Sequence, residues 1–121
     1  MLSKKVWLFL LISAIFAAVH TLAIQASLYW YYSWFDVVMH FWGGVLVALG
    51  VQALATLRIF PFRSNFITTI LILIVLMLVW EVFEYAVGLY DEETYVFDTM
   101  KDIVVGFSGG TIGYLFLRKK I

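Results

Sequence analysis

The chain has 121 residues, 64% of them hydrophobic and only 13% charged, and its formal net charge is zero. Soluble domains carry roughly 25% charged residues, and a soluble fold of this length could not bury so much apolar surface. A neutral chain gives no sign of a nucleic-acid partner, and the absence of cysteine excludes disulfides and thiolate metal sites.

The composition predicts an all-α integral membrane protein, with residues 1–121 as a single transmembrane domain. A transmembrane helix needs about 20 mostly apolar residues, and four stretches qualify: 6–27, 36–57, 65–88 and 98–117. The last stretch has a short apolar core, so we expect its helix to begin near Asp98 in the membrane interface. The prediction is a bundle of four transmembrane helices.

The basic residues predict the orientation of this bundle. An even number of spans puts seven of them on one side: Lys4, Lys5, Arg58, Arg63, Arg118, Lys119 and Lys120. Lys and Arg accumulate in cytoplasmic loops, so we expect a multi-pass protein of the cell membrane with both termini in the cytoplasm. The outer side then carries the aromatic run 29–34, typical of the headgroup level, and the acidic loop 91–93.

Two of the predicted helices begin with the same polar spacing. The second has Asp36, His40 and Gly44, and the fourth has Asp98, Asp102 and Gly106. Both helices are expected to run from outside to inside. The shared pattern indicates two repeated helical hairpins, related by an axis along the membrane normal as in parallel-repeat transporters.

Six ionisable side chains lie inside the predicted helices, close to their outer ends: Asp36, His40, Glu81, Glu84, Asp98 and Asp102. Residues three or four apart share one helix face, so each of three helices contributes a pair. At 1.5 Å per residue, we expect them within about 10 Å of the outer helix ends. Ionisable groups at membrane depth are costly and indicate function by default, so we predict that the six converge on one site.

Five carboxylates and one imidazole cannot all stay charged and unpaired in a small volume. A divalent cation (Mg, Mn, Ca or Zn) bound by all six residues would relieve the repulsion. Alternatively, some carboxyls could hold protons, or the groups could pair between helices and only tie them together. If a cation binds a lipid head group, His40, Glu81 and Glu84 are the candidate catalytic acids and bases.

The fourth predicted helix is rich in glycine, with overlapping G-x-x-x-G spacings at Gly106, Gly109, Gly110 and Gly113. Small residues let membrane helices approach closely. These glycines would bring the acidic faces together within the chain, or would join copies of helix 98–117 into a homo-oligomer surrounded by membrane lipids.

The polar residues of the three helices follow a characteristic order along the chain. The sequence reads Asp36-x-x-x-His40-Phe41-x-Gly43, then Trp80-Glu81-x-x-Glu84, then Asp98-x-x-x-Asp102-x-x-x-Gly106. This order resembles the VanZ-like and YjdF-like bacterial membrane proteins over about residues 36–113. The resemblance implies a small multi-helix membrane protein. VanZ itself is associated with resistance to glycopeptide antibiotics of the teicoplanin type, and the resemblance implies no particular reaction.

Three hypotheses for the function remain open, and so does enzymatic activity. The first is an outer-leaflet carboxylate/His site that binds a divalent cation, a lipid or cell-envelope head group, or both. The second is proton- or ion-coupled transport by an oligomer, although the inner halves of the helices hold almost no acidic groups. The third is a non-catalytic membrane scaffold in which the polar contacts between helices are structural.

Overall fold

A computed structural model describes residues 1–59, 64–87 and 95–120. This part of the chain contains five α-helices: α1 (Lys4–Gln25), α2 (Leu28–Tyr31), α3 (Ser33–Thr56), α4 (Phe66–Val87) and α5 (Tyr95–Lys120). No β-strand occurs in the described ranges, so the all-α prediction is confirmed. Arg63, the acidic loop 91–93 and the predicted helix end at residue 88 lie outside the described residues.

The described residues contain a fifth helix, because the aromatic run after α1 includes the short helix α2, so the predicted count of four helices is not confirmed. Ser27 takes a left-handed conformation (φ 57°) and turns the chain from α1 into α2. The N–H groups of Tyr31 and Tyr32 then donate to the carbonyls of Ser27 and Leu28. Backbone polar groups near lipid must find partners within the protein, and this short helix satisfies them better than an open loop.

Side chains and one left-handed residue set three of the long-helix ends. The Ser3 hydroxyl accepts a hydrogen bond from the N–H of Val6 and caps α1. The Asn65 side chain accepts from the N–H of Thr68 at the start of α4. Arg58 has a φ of 56°, which ends α3 just ahead of the next loop.

Three helices among the described residues are long and apolar enough to cross a membrane: α1, α3 and the Phe66–Ala86 part of α4. The fourth long helix, α5, falls outside this group, because its apolar stretch lies between Lys101–Asp102 and Arg118. The membrane prediction therefore stands on three spans, while the four-span topology and the cytoplasmic termini stay predictions.

Helix α3 lies at the centre of the bundle. Half of its apolar window is buried within the protein, against 6% for α1 and 11% for α4. It contacts α1, α4 and, most extensively, α5. The outward faces of α1 and α4 remain apolar and exposed, as expected for helices whose outer surface is solvated by lipid.

Glycine contacts fix the packing of α3 on α5. A β-carbon built on Gly44 would fall on the carbonyl oxygen of Gly106, and one built on Gly109 would fall on the carbonyl oxygen of Phe41. One built on Gly113 would lie 3.1 Å from the Cα of Val45. From Phe41 to Val45, the contacting glycine changes from Gly109 to Gly113, so α3 and α5 run parallel with their backbones in contact.

The two outer helices run antiparallel to this central pair. At one end of α1, the Ser3 and Thr56 hydroxyls are 2.6 Å apart, and Lys5 Nζ donates to Gln52 Oε1 at 3.1 Å. Phe66 at the start of α4 contacts Tyr114 near the end of α5. The helix directions thus agree with two hairpins, α1–α3 and α4–α5, and their relation by an axis along the membrane normal stays a prediction.

Candidate functional site

His40 of α3 lies between two carboxylates. Its Nε2 is 3.3 Å from Oδ1 of Asp36, one turn earlier on the same helix, and 3.3 Å from Oδ2 of Asp102 on α5. The close contact between Gly44 and Gly106 brings His40 and Asp102 to the same height, since Gly44 follows His40 by four residues and Gly106 follows Asp102 by four. Two helices therefore bring three potential ligands to one point.

A second group of potential ligands lies beside the first. Glu81 and Glu84 project from one face of α4 towards Asp102, which thus belongs to both groups. Within each group, one ligand atom from every residue lies within 4.8 Å of the others. Three helices converge here, and the structure brings together five of the six predicted site residues.

Hydrogen bonds from neighbouring side chains orient the two glutamates. Trp80 Nε1 donates to Oε1 of Glu84 at 2.7 Å, along one turn of α4. Thr99 Oγ1 on α5 donates to Oε2 of Glu81 at 3.1 Å. Such outer hydrogen bonds fix the direction of a carboxylate and are typical of supported metal ligands.

Asp102 is the most buried acidic residue of the site. It is 7% exposed, and its Oδ1 has no hydrogen-bond partner among the described residues. A buried carboxylate oxygen without a partner is costly, because it has lost its contact with water and gained nothing in return. A proton or a cation at this oxygen would remove that cost.

Almost the whole chain matches one known protein family. Residues 4–120 match the model of a family described as a predicted membrane protein, DUF2238. The chain belongs to the DUF2238 family. No curated protein and no solved structure matches it.

Membership in DUF2238 agrees with the three apolar helices of membrane length. The prediction of an integral membrane protein is therefore confirmed. The match does not test the resemblance to VanZ-like and YjdF-like proteins, which stays a prediction, as do the cell membrane as the location and the orientation of the termini.

Asp98, the sixth predicted ligand of this DUF2238 chain, lies outside both groups. It is in the first turn of α5, one turn before Asp102, and is partly exposed. The four-residue spacing places Asp98 on the face of Asp102 but nearer the end of the helix. Its part in metal binding stays a prediction, and a comparison of Asp98 with Asp102 tests whether the site has five ligands or six.

Sequence analysis missed one feature of the site, the pair Trp80 and Thr99, whose hydrogen bonds depend on the rotation of α4 and α5. His20 is also hydrogen-bonded, since its Nδ1 lies 2.7 Å from the Tyr29 hydroxyl. Burial, with a smaller effect of the nearby Asp36 charge, raises the pKa of Tyr29 to about 12, so its hydroxyl stays protonated at neutral pH.

Proposed function

We propose that this DUF2238 protein binds a divalent cation in its carboxylate/His site and, through that cation, an anionic head group of a lipid or cell-envelope molecule at the outer leaflet. The observation that supports the proposal most directly is the convergence of Asp36, His40, Glu81, Glu84 and Asp102 from three helices. His40, Glu81 and Glu84 are the residues we propose as acids or bases in any reaction at the bound group.

The ligand types support a cation in this role. Four carboxylates in a partly buried site repel one another, and the surrounding lipid and apolar side chains solvate charge poorly. Oxygen ligands with one imidazole suit Mg, Mn, Ca and Zn. A bound cation would offset the negative charge and give the unpartnered oxygen of Asp102 a partner.

The accessibility of the site supports a head-group ligand. The side chains of Asp36 and His40 are 36% and 22% exposed, whereas Asp102 is 7% exposed, so part of the site is accessible from outside the bundle. The exposed aromatic residues of 30–34 lie at the same end of α3 as Asp36 and His40. Such residues favour the headgroup level of a membrane, where a cation with open coordination positions can polarise a phosphate oxygen.

Thermal unfolding of the full chain in detergent tests cation binding. We expect added Mn²⁺ to raise the Tm of the metal-free protein, because an ion that binds only the folded state stabilises it. At an ion concentration 100 times the Kd, the gain is about 2.7 kcal/mol. The Asp102→Asn variant should lose this gain.

Asp98→Asn is the matched control for that experiment. It removes one carboxylate from the same face of α5 but from outside both groups, so it should keep the Mn²⁺-dependent rise in Tm. If chelators and added divalent ions leave the Tm of the unaltered chain unchanged, cation binding is wrong.

A non-catalytic scaffold is the second candidate, because several polar contacts of the site join different helices. His40 and Asp102 link α3 to α5, and Thr99 and Glu81 link α5 to α4. In this case the amide variants Glu81→Gln and Asp102→Asn would lower the Tm equally with and without metal. The dependence on metal therefore separates the two functions.

A further inference from the structure

Three potential ligand atoms meet at His40. Its Nε2 is 3.3 Å from an oxygen of Asp36 and 3.3 Å from an oxygen of Asp102, distances that are within the range of ion pairs with a charged imidazole. The same separations also suit three ligands that each lie about 2.0–2.6 Å from a shared cation. The number of cations therefore depends on the second group of ligands and on the charges.

The second group consists of three carboxylates, those of Glu81, Glu84 and the shared Asp102. Glu81 and Glu84 meet Asp102 without any contribution from Asp36 or His40. Each glutamate already has one oxygen oriented by a hydrogen bond, from Thr99 or from Trp80. Asp102 has two carboxylate oxygens. One is 3.3 Å from His40, and the other is buried with no hydrogen-bond partner among the residues that the structure describes.

The charges of the two groups together favour two ions. Asp36, Glu81, Glu84 and Asp102 contribute four negative charges when ionised, and a ligating histidine is neutral. One divalent cation leaves two negative charges uncompensated in a poorly solvated site, whereas two divalent cations balance all four. Asp98, one turn before Asp102, and Lys101, the residue before it, carry opposite charges and leave this balance unchanged.

We infer that the site holds two divalent cations, one bound by Asp36 and His40, the other by Glu81 and Glu84, with the carboxylate of Asp102 bridging them. This inference rests on the proposed function and deepens it. Paired cations about 3.5–4 Å apart can bind two oxygens of one phosphate group at the same time. Two cations at this spacing therefore suit a lipid or cell-envelope head group that contains phosphate.

Metal stoichiometry tests the inference. The full chain in detergent is stripped with a chelator and dialysed against Mn²⁺ at several concentrations, and bound manganese is measured per chain by mass spectrometry. We expect two ions per chain at saturation, and an electron paramagnetic resonance spectrum that shows magnetic coupling between them. Asp36→Asn and Glu81→Gln should each reduce binding to one uncoupled ion, since they alter different groups.

The remaining variants separate the possible outcomes. Asp102→Asn should weaken binding of both ions by at least tenfold, and Asp98→Asn should still bind two. Circular dichroism and gel filtration of each variant verify that it is folded. One uncoupled ion per unaltered chain would overturn the paired site but leave cation binding intact, whereas no bound ion would overturn both.

Discussion

Asp102 is where burial and charge conflict most strongly in this protein. A carboxylate that is 7% exposed has little contact with water, and its Oδ1 gains no hydrogen bond from the described part of the chain. His40 contacts the other oxygen, but at 3.3 Å and shared with Asp36. The oxygen without a partner is unfavourable for the protein alone, and a proton or a cation bound there would offset that cost.

The membership of the site could largely be predicted from residue spacing. Asp36 and His40 are one helical turn apart, as are Glu81 and Glu84, and ionisable groups at membrane depth are expected to face one another. The partition into two groups that share Asp102 could not be predicted, because it depends on the rotation of α5 against both neighbours. Asp98 shares the face of Asp102 but lies one turn nearer the start of α5, outside these groups.

At the scale of the elements, the contact between α3 and α5 positions the site. Gly44 lies against the backbone of Gly106, and this contact sets the height of His40 relative to Asp102. The repeated four-residue spacing in the two helices predicted that they correspond. It could not predict that they touch, because the same glycines would equally suit contact between two copies of the chain.

The first and last residues of the helices are harder to predict from the sequence than the existence of the long helices. The helices α3 and α5 begin at Ser33 and Tyr95, each three residues earlier than predicted. Hydropathy locates the part of a helix that lies in hydrocarbon, whereas interfacial residues extend the helix without raising its hydropathy. The short helix α2 escaped prediction for the same reason, since aromatic residues suit either a loop or a helix at the headgroup level.

Adjacent glycines of α3 offer a matched test of this packing. A β-carbon on Gly44 would fall on the Gly106 carbonyl oxygen, while one on Gly43 would meet nothing within 4 Å. Gly43→Ala should therefore be neutral or stabilise the protein by up to ~1 kcal/mol through helix propensity. Gly44→Ala should destabilise it by about 1–3 kcal/mol, as overpacking does, and should weaken Mn²⁺ binding by separating His40 from Asp102.

Thermal unfolding and manganese titration of both variants measure these effects. The outcome that contradicts the packing is a Gly44→Ala protein with the Tm and the manganese affinity of Gly43→Ala. That result would mean that α3 and α5 are not in backbone contact at this height.

At the scale of the whole molecule, the two ends of the bundle differ in chemistry. One end holds the carboxylate/His site and the exposed aromatic residues. At the other end, the Lys5 side chain donates a hydrogen bond to the buried Gln52, and the hydroxyls of Ser3 and Thr56 are hydrogen-bonded. Lys4, Lys5, Arg58 and Arg118 also lie at this second end. The rule that basic loops face the cytoplasm therefore predicts that the site faces the outer leaflet.

The absence of cysteine from the sequence makes this orientation easy to test. Single-cysteine variants Trp30→Cys and Ile59→Cys place a thiol at exposed positions, 86% and 73% exposed, near opposite ends of α3. In intact cells, a membrane-impermeant maleimide should label Trp30→Cys, and should label Ile59→Cys only after the membrane is opened. The reverse pattern would place the carboxylate/His site at the cytoplasmic face.

X-ray absorption at the zinc edge identifies the atoms that surround the bound cation. The measurement uses the full chain loaded with Zn²⁺. We predict scattering from one imidazole together with carboxylate oxygens at about 2.0–2.2 Å, and loss of the imidazole signal in a His40→Gln variant while the His20→Gln control keeps it. Zinc surrounded by oxygen alone, with a spectrum that His40→Gln leaves unchanged, would contradict metal binding at this site.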